Sequence, residues 1–371
     1  MLEARIFRAI ADIGRDAWET CARGALEGFD YLAAVEAAGL PGFEQRYILI
    51  LDQGRPLAAA PAFITDYRLD TTLSDLGRRM IGLARRLSPR AFTVRMACLG
   101  SPCTEDAGLV FAAGVEPARR AEALGLLLSA FEAAATEAQC GLLAVKDAPT
   151  DDGGLWASGA ARAGYQATPG MPTAVLPIDF ADEAAYLGRL SAATRKDMRR
   201  KLRARASVRV EVVRRLDGLE DRVLELYRQT RARSDLQFEE LTADYFTQVL
   251  ARMGERAFCV LYWAGETLIG CNLLLQDGET LLDKFFCMET ARGPALNLYF
   301  LSWFQNVQLC IERGYGRYQS GQAGYVDKQR LGSRLIGAQM YFRHRRPLVN
   351  RALRWAAPLL ADDPVPARGA A

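Results

Sequence analysis

Between Phe258 and Met288 three short apolar runs alternate with two polar breaks. The runs are Phe258–Trp263, Thr267–Gln276 and Thr280–Met288; the breaks are Ala264-Gly265-Glu266 and Asp277-Gly278-Glu279. Each break carries a glycine that can supply the positive φ of a tight reversal, so three antiparallel strands are predicted. A helix is predicted next, with Pro294 near its start and Gly314 just past its end. Phe300, Phe304, Val307 and Ile311 recur at helical spacing and mark its apolar face. The pattern then predicts a strand over Tyr315–Ser320, a turn at Gly321–Gly324, and a second helix starting at Tyr325-Val-Asp-Lys328.

The first half follows the same plan. Arg46–Leu51 and Leu57–Ile64 read as a hairpin, Thr93–Leu99 as a strand, and Pro117–Gln139 as a helix with Leu124, Leu127, Leu128, Phe131 and Ala135 on one face. Gly141–Val145 is a strand, Leu155–Arg162 a helix, Thr173–Ile178 a strand. The repeat predicts a tandem duplication: one domain over 1–170 with an insertion at 66–92, a second over 171–360, and a disordered tail over 361–371. Pro169-Gly170-Met171-Pro172 discourages a continuous element and sets the boundary. The insertion contains an arginine-rich helix, Leu76–Leu87. A last helix, Pro347–Ala357, carries Leu348, Leu353 and Trp355 behind the basic run Arg343–Arg346, a pattern that suits either core packing or an interfacial membrane helix.

Charge is unevenly spread. Residues 1–180 hold 17 Lys+Arg against 22 Asp+Glu, a net of −5; the chain totals of 47 and 44 leave 30 against 22, a net of +8, for residues 181–371. The second half therefore favours an anionic partner. Seven cations (Arg195, Lys196, Arg199, Arg200, Lys201, Arg203, Arg205) crowd one short segment with only Asp197 to offset them, and suit a diphosphate, tRNA or anionic headgroups. Eight scattered cysteines, five of them (Cys98, Cys259, Cys271, Cys287, Cys310) inside apolar runs, read as buried thiols in a reducing compartment. With no long uncharged apolar run and no signal-peptide pattern, a cytoplasmic location is expected, with a possible peripheral contact at the inner face of a membrane.

The chemistry on offer is narrow. His344 is the sole histidine and sits in a basic run, leaving one unpromising base for a nucleophile dyad. No metal-ligand spacing exists, and no Walker loop or Gly-x-Gly-x-x-Gly follows a strand. Acyl transfer from an activated ester or thioester to an amine fits what remains, since it needs alignment, a polarised carbonyl and an outlet for one proton.

A meander leading into a strand–helix–strand crossover is the layout of the acyl-CoA N-acyltransferase (GNAT) fold. Leu190-Ser-Ala-Ala-Thr-Arg-Lys-Asp-Met-Arg-Arg-Lys201, the meander, and Gly314-Tyr-Gly-Arg-Tyr-Gln-Ser-Gly-Gln-Ala-Gly-Tyr-Val-Asp-Lys-Gln-Arg-Leu-Gly332 resemble the second half of FemAB-like and BioF2-like acyltransferases of the GNAT superfamily. The resemblance implies α/β (α+β) tandem GNAT-like domains, mixed sheets flanked by helices. Ile64–Thr72 and Gly100–Gly108 are similar to segments of bacterial ceramide synthases in the same group. These resemblances imply an N-acyltransferase with fatty acyl-CoA as co-substrate and a sphingoid base or similar lipid amine as acceptor. Two other readings stay open: an aminoacyl-tRNA-dependent transferase acting on a peptidoglycan precursor, and a non-catalytic lipid- or protein-binding adaptor.

The resemblance points Lys328 towards the cleft, to hold a phosphate or steady charge on the carbonyl oxygen. Asp283 is expected as proton acceptor and Tyr325 as a donor beside it. Alternation puts Asp283 and Lys284 on opposite faces of their strand, and an exposed ion pair is the competing reading. Gln322, Gln319, Tyr299, Tyr67 and Glu105 are expected to contact substrate. Arg292 and Gly293, with Arg195 and Lys196, are expected to hold the cofactor. The junction Glu289-Thr-Ala-Arg292-Gly293-Pro294 departs from the family's glycine-rich loop, because a proline removes an amide donor. No metal is expected.

Overall fold

In the computed structural model, which describes residues 1–68, 93–234 and 237–351, the chain forms two compact units. The first comprises Met1–Leu32, Pro41–Met171 and the segment from Gly337 onward; the second comprises Ala33–Leu40 and Pro172–Ile336. The predicted helix Leu76–Leu87 lies outside the described residues, as do the last helix beyond residue 351 and the tail.

Strands of the first unit are β1 (Leu2–Phe7), β2 (Phe43–Asp52), β3 (Arg55–Arg68), β4 (Thr93–Leu99), β5 (Val110–Phe111), β6 (Leu142–Pro149) and β7 (Gln166–Pro169). Those of the second are β8 (Thr173–Pro177), β9 (Arg209–Val213), β10 (Ala257–Ala264), β11 (Thr267–Gln276), β12 (Thr280–Met288), β13 (Arg317–Gln319) and β14 (Arg334–Ile336). A last strand, β15 (Ala338–His344), returns to the first sheet.

Helices, in chain order, are α1 (Arg15–Ala22), α2 (Phe29–Ala37), α3 (Pro117–Glu137), α4 (Leu155–Arg162), α5 (Glu183–Arg189), α6 (Ala192–Lys201), α7 (Glu220–Arg231), α8 (Ala243–Met253), α9 (Arg292–Ala295), α10 (Leu298–Arg313) and α11 (Tyr325–Arg330). Side-chain caps start several of them: Asp182, Ser191 and Thr242 accept the amides of Ala185, Thr194 and Tyr245. The single helix predicted after the meander is two, because Asn297 adopts φ +53° between α9 and α10, a left-handed turn that Asn tolerates.

The sheets run β1-β2-β3-β4-β6-β15-β7 and β9-β10-β11-β12-β13-β8-β14. Read side by side they have one plan: a lead strand, a three-strand meander, a parallel partner, an inserted strand and an edge. In the first sheet the inserted strand, β15, follows the whole second unit in the chain; in the second it is β8, the first strand of that unit. β15 pairs with β6 from Ala338↔Pro149 to His344↔Leu142 and with β7, and β8 pairs with both β13 and β14. Residues from Gly337 thus depart from the expected 171–360 domain. His344, expected on a solvated basic face, sits in a ladder, and its Nδ1 accepts the Arg346 amide at 3.0 Å.

Each sheet has its own core. In the first, Leu124, Leu127, Leu128 and Phe131 of α3 pack with Ile48, Ile50, Ala60 and Ala62. In the second, Leu298, Phe304 and Val307 of α10 pack with Phe258, Val260, Leu274 and Leu281 on one sheet face. On the other face Tyr227 of α7 and Tyr245 of α8 meet Phe285 edge-on. All eight cysteines are free and buried. Among the described residues no helix is long and apolar enough to cross a membrane.

A chain ending at Ile336 would leave β6 and β7 without their shared neighbour. We expect such a chain to lose the cooperative unfolding transition of the first unit, followed by circular dichroism, while the full chain retains it.

Candidate functional site

The second sheet opens at one point. β12 and β13 pair in parallel at only three positions, Thr280↔Arg317, Leu281↔Tyr318 and Leu282↔Gln319. β12 continues to Met288 whereas β13 ends at Gln319, so from Asp283 onward this edge of β12 has no strand partner among the described residues. On the opposite edge of β12 the register with β11 slips between Leu273↔Phe285 and Leu274↔Asp283, leaving Lys284 as the extra residue of a bulge. A bulge bends its strand and re-aims the neighbouring side chains. Here it turns the strand at the mouth of the wedge.

Asp283 stands at that mouth and is pinned from three elements. Nδ2 of Asn272 (β11) lies 2.9 Å from both carboxylate oxygens, Nδ2 of Asn306 (α10) donates to Oδ2 at 3.1 Å, and the Tyr318 hydroxyl (β13) donates to Oδ2 at 2.9 Å. Asn306 Nδ2 also lies 3.0 Å from the Tyr318 oxygen. Asn272 and Asn306 are fully buried. The expected exposed Asp283–Lys284 pair is corrected: Asp283 is half-buried in this network, and Lys284 is itself buried. A proton arriving at Oδ2 would displace one of these hydrogen bonds, which argues against a free proton acceptor.

Three tyrosines, Tyr262, Tyr299 and Tyr318, feel the charge of this carboxylate. Tyr262 and Phe286 meet edge-on, as do Phe286 and Tyr299. Burial first, then the charge of Asp283, pushes the Tyr262 and Tyr318 hydroxyls well above the ordinary phenol value. Tyr299 is pushed up by burial, then by Asp327 and Asp283. All three stay protonated. Four solvent-shielded polar atoms here have no hydrogen-bond partner among the described residues: the Tyr262 and Tyr299 hydroxyls, Asn272 Oδ1 and Asn306 Oδ1.

Past β13, the turn predicted at Gly321–Gly324 has φ +82° and +67° at its two glycines, values that favour glycine. A side chain on Gly324 would place its Cβ 3.6 Å from the Tyr299 hydroxyl. Lys328 is not a surface lysine. It is only 5% exposed, and its ammonium donates to the carbonyls of Ser320 and, at 3.2 Å, Gly321. It thus straps the turn to the start of α11. Tyr325 is buried at the head of α11, and Gln319 and Gln322 are half-buried along the same segment.

Other expected positions fall elsewhere. Arg292 is bound by Glu289 at 2.6 Å, which also takes Arg222 at 3.1 Å. Gly293 packs on Met288, where an added Cβ would lie 2.9 Å from the sulfur, and its amide is used by the Glu289 carbonyl. The phosphate cradle expected there is therefore taken up by a carboxylate and by packing. Arg195 donates to the Gly188 carbonyl at 3.1 Å. Arg200, Lys201 and Arg330 converge on Asp197, while Lys196, Arg199 and Arg203 are exposed and form no ion pair among the described residues. Tyr67, opposite Val94 on β3, and Glu105 lie in the first unit.

The pattern of residues 152–342 matches a family model, FemAB-like, described as peptidoglycan biosynthesis/recognition. That span is more than half of the 371 residues. The chain belongs to the FemAB-like family. Its fold is similar to solved tandem GNAT-like structures. FemX aligns with a TM-score of 0.59 at 12% identity, over 95% of this chain and 100% of that one. The C-terminal domain of a proposed lysylphosphatidylglycerol synthetase from Agrobacterium fabrum aligns at 0.56 and 14% identity, over 98% and 99%. A tandem GNAT protein from the clavulanic acid biosynthesis pathway aligns at 0.53 and 15%, over 94% and 99%. At such identities the likeness is one of fold. No curated protein sequence matches the chain. The FemAB-like membership and the tandem fold make the chain acyltransferase-like, as the crossover pattern suggested; the ceramide synthase specificity gains no support.

Asn272, Asn306 and Tyr318 escaped the sequence reading. A signal was present: Asn272 is the lone polar residue within Leu268–Leu275, and Asn306 interrupts the apolar surface of α10. A buried amide must find a partner. What the sequence withheld was that both share one.

Two outcomes follow. Asp283→Ala leaves two buried amides without their acceptor and should cost about 2–5 kcal/mol, a fall in melting temperature of at least about 5 °C; Tyr318→Phe should cost less. Asp197 is held well below its ordinary carboxylate range by hydrogen bonds from Arg200, then Arg330 and Lys201. Its contribution to stability is present above the unfolded value of about 3.9 and lost as pH falls below it. Asp197→Asn should therefore flatten the acid limb of the melting-temperature profile.

Proposed function

We propose that this FemAB-like protein transfers an aminoacyl group from the ester of a polyanionic carrier, aminoacyl-tRNA, to an amine of a peptidoglycan precursor. The observation that carries the reading is the parting of β12 from β13 beyond Leu282 and Gln319, which opens an edge where an activated carbonyl can lie in reach of a nucleophile. The attacking nitrogen forms the new C–N bond, the ester C–O bond breaks, and the amine proton ends on the departing ribose hydroxyl, directly or through water. No covalent intermediate on the protein is needed, because the donor is already activated.

The choice of donor rests on charge. The exposed cations Lys196, Arg199 and Arg203 suit a phosphate backbone. A fatty acyl-CoA donor asks for a diphosphate at the Arg292 turn, and Glu289 holds that guanidinium already. N-acylation of a sphingoid base by fatty acyl-CoA is therefore the second reading. Family membership and the likeness to FemX favour the first. Lys328 acts in this scheme as a positioning residue that keeps the Gly321–Gly324 turn in place beside the wedge.

Mass spectrometry of two incubations separates the readings: aminoacyl-tRNA with a peptidoglycan precursor, and fatty acyl-CoA with a sphingoid base. We expect amide product in the first alone, abolished by RNase treatment of the donor. Product only in the second, in neither, or insensitive to RNase overturns the proposal.

A further inference from the structure

We propose that the Asp283 cluster is a recognition site for a primary ammonium group, and that the group it holds is the free α-ammonium of the aminoacyl donor. The inference rests on the aminoacyl reading above and names the part of the donor that the wedge selects.

Asp283 dictates how its neighbours are turned. A carboxylate accepts hydrogen bonds and cannot donate them, so an asparagine beside it must present its amide nitrogen. Nδ2 of Asn272 and Nδ2 of Asn306 both face the carboxylate. Their orientation is therefore chemically determined, and each Oδ1 is turned away from Asp283. Neither Oδ1 is reached by solvent, and neither has a donor among the described residues. Both residues are fully buried, where an unmet acceptor is costly. The Tyr262 hydroxyl, on a fully buried side chain that feels the Asp283 charge, is likewise without a partner among the described residues.

The unmet chemistry is specific. The carboxylate and the unmet amide oxygens of the two residues bonded to it give this cluster a negative charge and a surplus of acceptors. Tyr262, Phe286 and Tyr299 pack against one another edge-on nearby, Tyr262 and Tyr299 both feel the Asp283 charge, and aromatic ring faces attract a cation. An ammonium carries three donors, no acceptor and one positive charge, and complements such a set. An alkyl chain offers no donor, and a phosphate would be repelled by Asp283. A divalent metal is poorly served by a single carboxylate, and no cluster of three or more metal-ligating His, Cys, Asp or Glu side chains occurs among the described residues.

The same chemistry assigns the group to the donor. A nitrogen held through its three hydrogens as an ammonium has no lone pair with which to attack a carbonyl. The cage therefore grips a recognition handle, while the nucleophile approaches from elsewhere. This would make the site a filter for acyl groups that carry a free amine.

Binding tests the cage without turnover. With the full chain, calorimetry or NMR titration should give alanine amide at least ten-fold tighter affinity than propionamide, its analogue without the amine. Tyr262→Phe removes a hydroxyl that bonds to no described residue, so a purely structural role predicts no loss of stability and no change in binding. We expect it to keep its melting temperature and to narrow the preference at least three-fold; Asp283→Asn should abolish it. Equal affinity for the two amides, a Tyr262→Phe protein that discriminates as the parent does, or displacement of alanine amide by equimolar potassium chloride each overturns the proposal.

Transfer then separates donor from acceptor. N-acetylation of the aminoacyl-tRNA masks only the donor amine, and kcat/KM should fall ten-fold or more. Undiminished transfer from the acetylated donor sinks the cage and leaves the aminoacyl-transfer reading standing. A clear preference for alanine amide in a protein that transfers nothing from aminoacyl-tRNA sinks that reading and leaves the cage.

Discussion

One carboxylate holds the parting strands in order. Where β12 and β13 separate, the sheet loses the backbone bonds that would fix their spacing, and a wedge of this kind would close or fray without a substitute. Asp283 supplies it, tying β11, α10 and β13 to β12 through Asn272, Asn306 and Tyr318. The bulge at Lys284 and the glycine turn beyond β13 bend the chain on either side of that knot. Lys328 then fastens the turn through the Ser320 and Gly321 carbonyls. A carboxylate on β12 and a buried cation on α11 therefore hold the two sides of this point, in roles that are architectural before they are chemical.

The first unit resolves the same topology differently. Its parallel pair, β4 with β6, ends at Leu99↔Val145. The residue after β4 is Gly100, at φ +114°, and the Lys146 side chain lies across it, so that an added Cβ would come within 2.7 Å of Lys146 Cγ. The Lys146 ammonium donates to the carbonyls of Ser101 and Thr104 beyond β4, bracing the gap that the second unit keeps open. Two copies of one plan thus differ where the parallel pairing ends: a carboxylate with unmet amide oxygens nearby in one, and in the other an ammonium shared between backbone carbonyls and the Asp147 carboxylate 3.3 Å away.

Much of this was legible before any coordinates. The three meander strands, the α3 face and α4 follow from period and turn chemistry, which are local properties. The chain's last strand was not, because Ala338–His344 pairs with strands nearly two hundred residues earlier, and nothing local announces a partner so distant. At the site, Asp283 and Lys328 were singled out by residue type and motif, but their partners were not. Asn272 and Asn306 matter through the single atom they share, and spacing along a chain carries no such information. The turn at Arg292 failed for the opposite reason: its sequence suggested an anion site, and Glu289 three residues earlier was close enough to fill it.

The crossed strands bear on how the polypeptide matures. During synthesis the strands β1 to β7 emerge without β15, so their sheet waits with a slot between β6 and β7 until the second unit's strands have been made. A domain that would ordinarily finish early is made to wait for a strand that follows the second unit. The closing of the first sheet is thereby tied to the synthesis of the second unit.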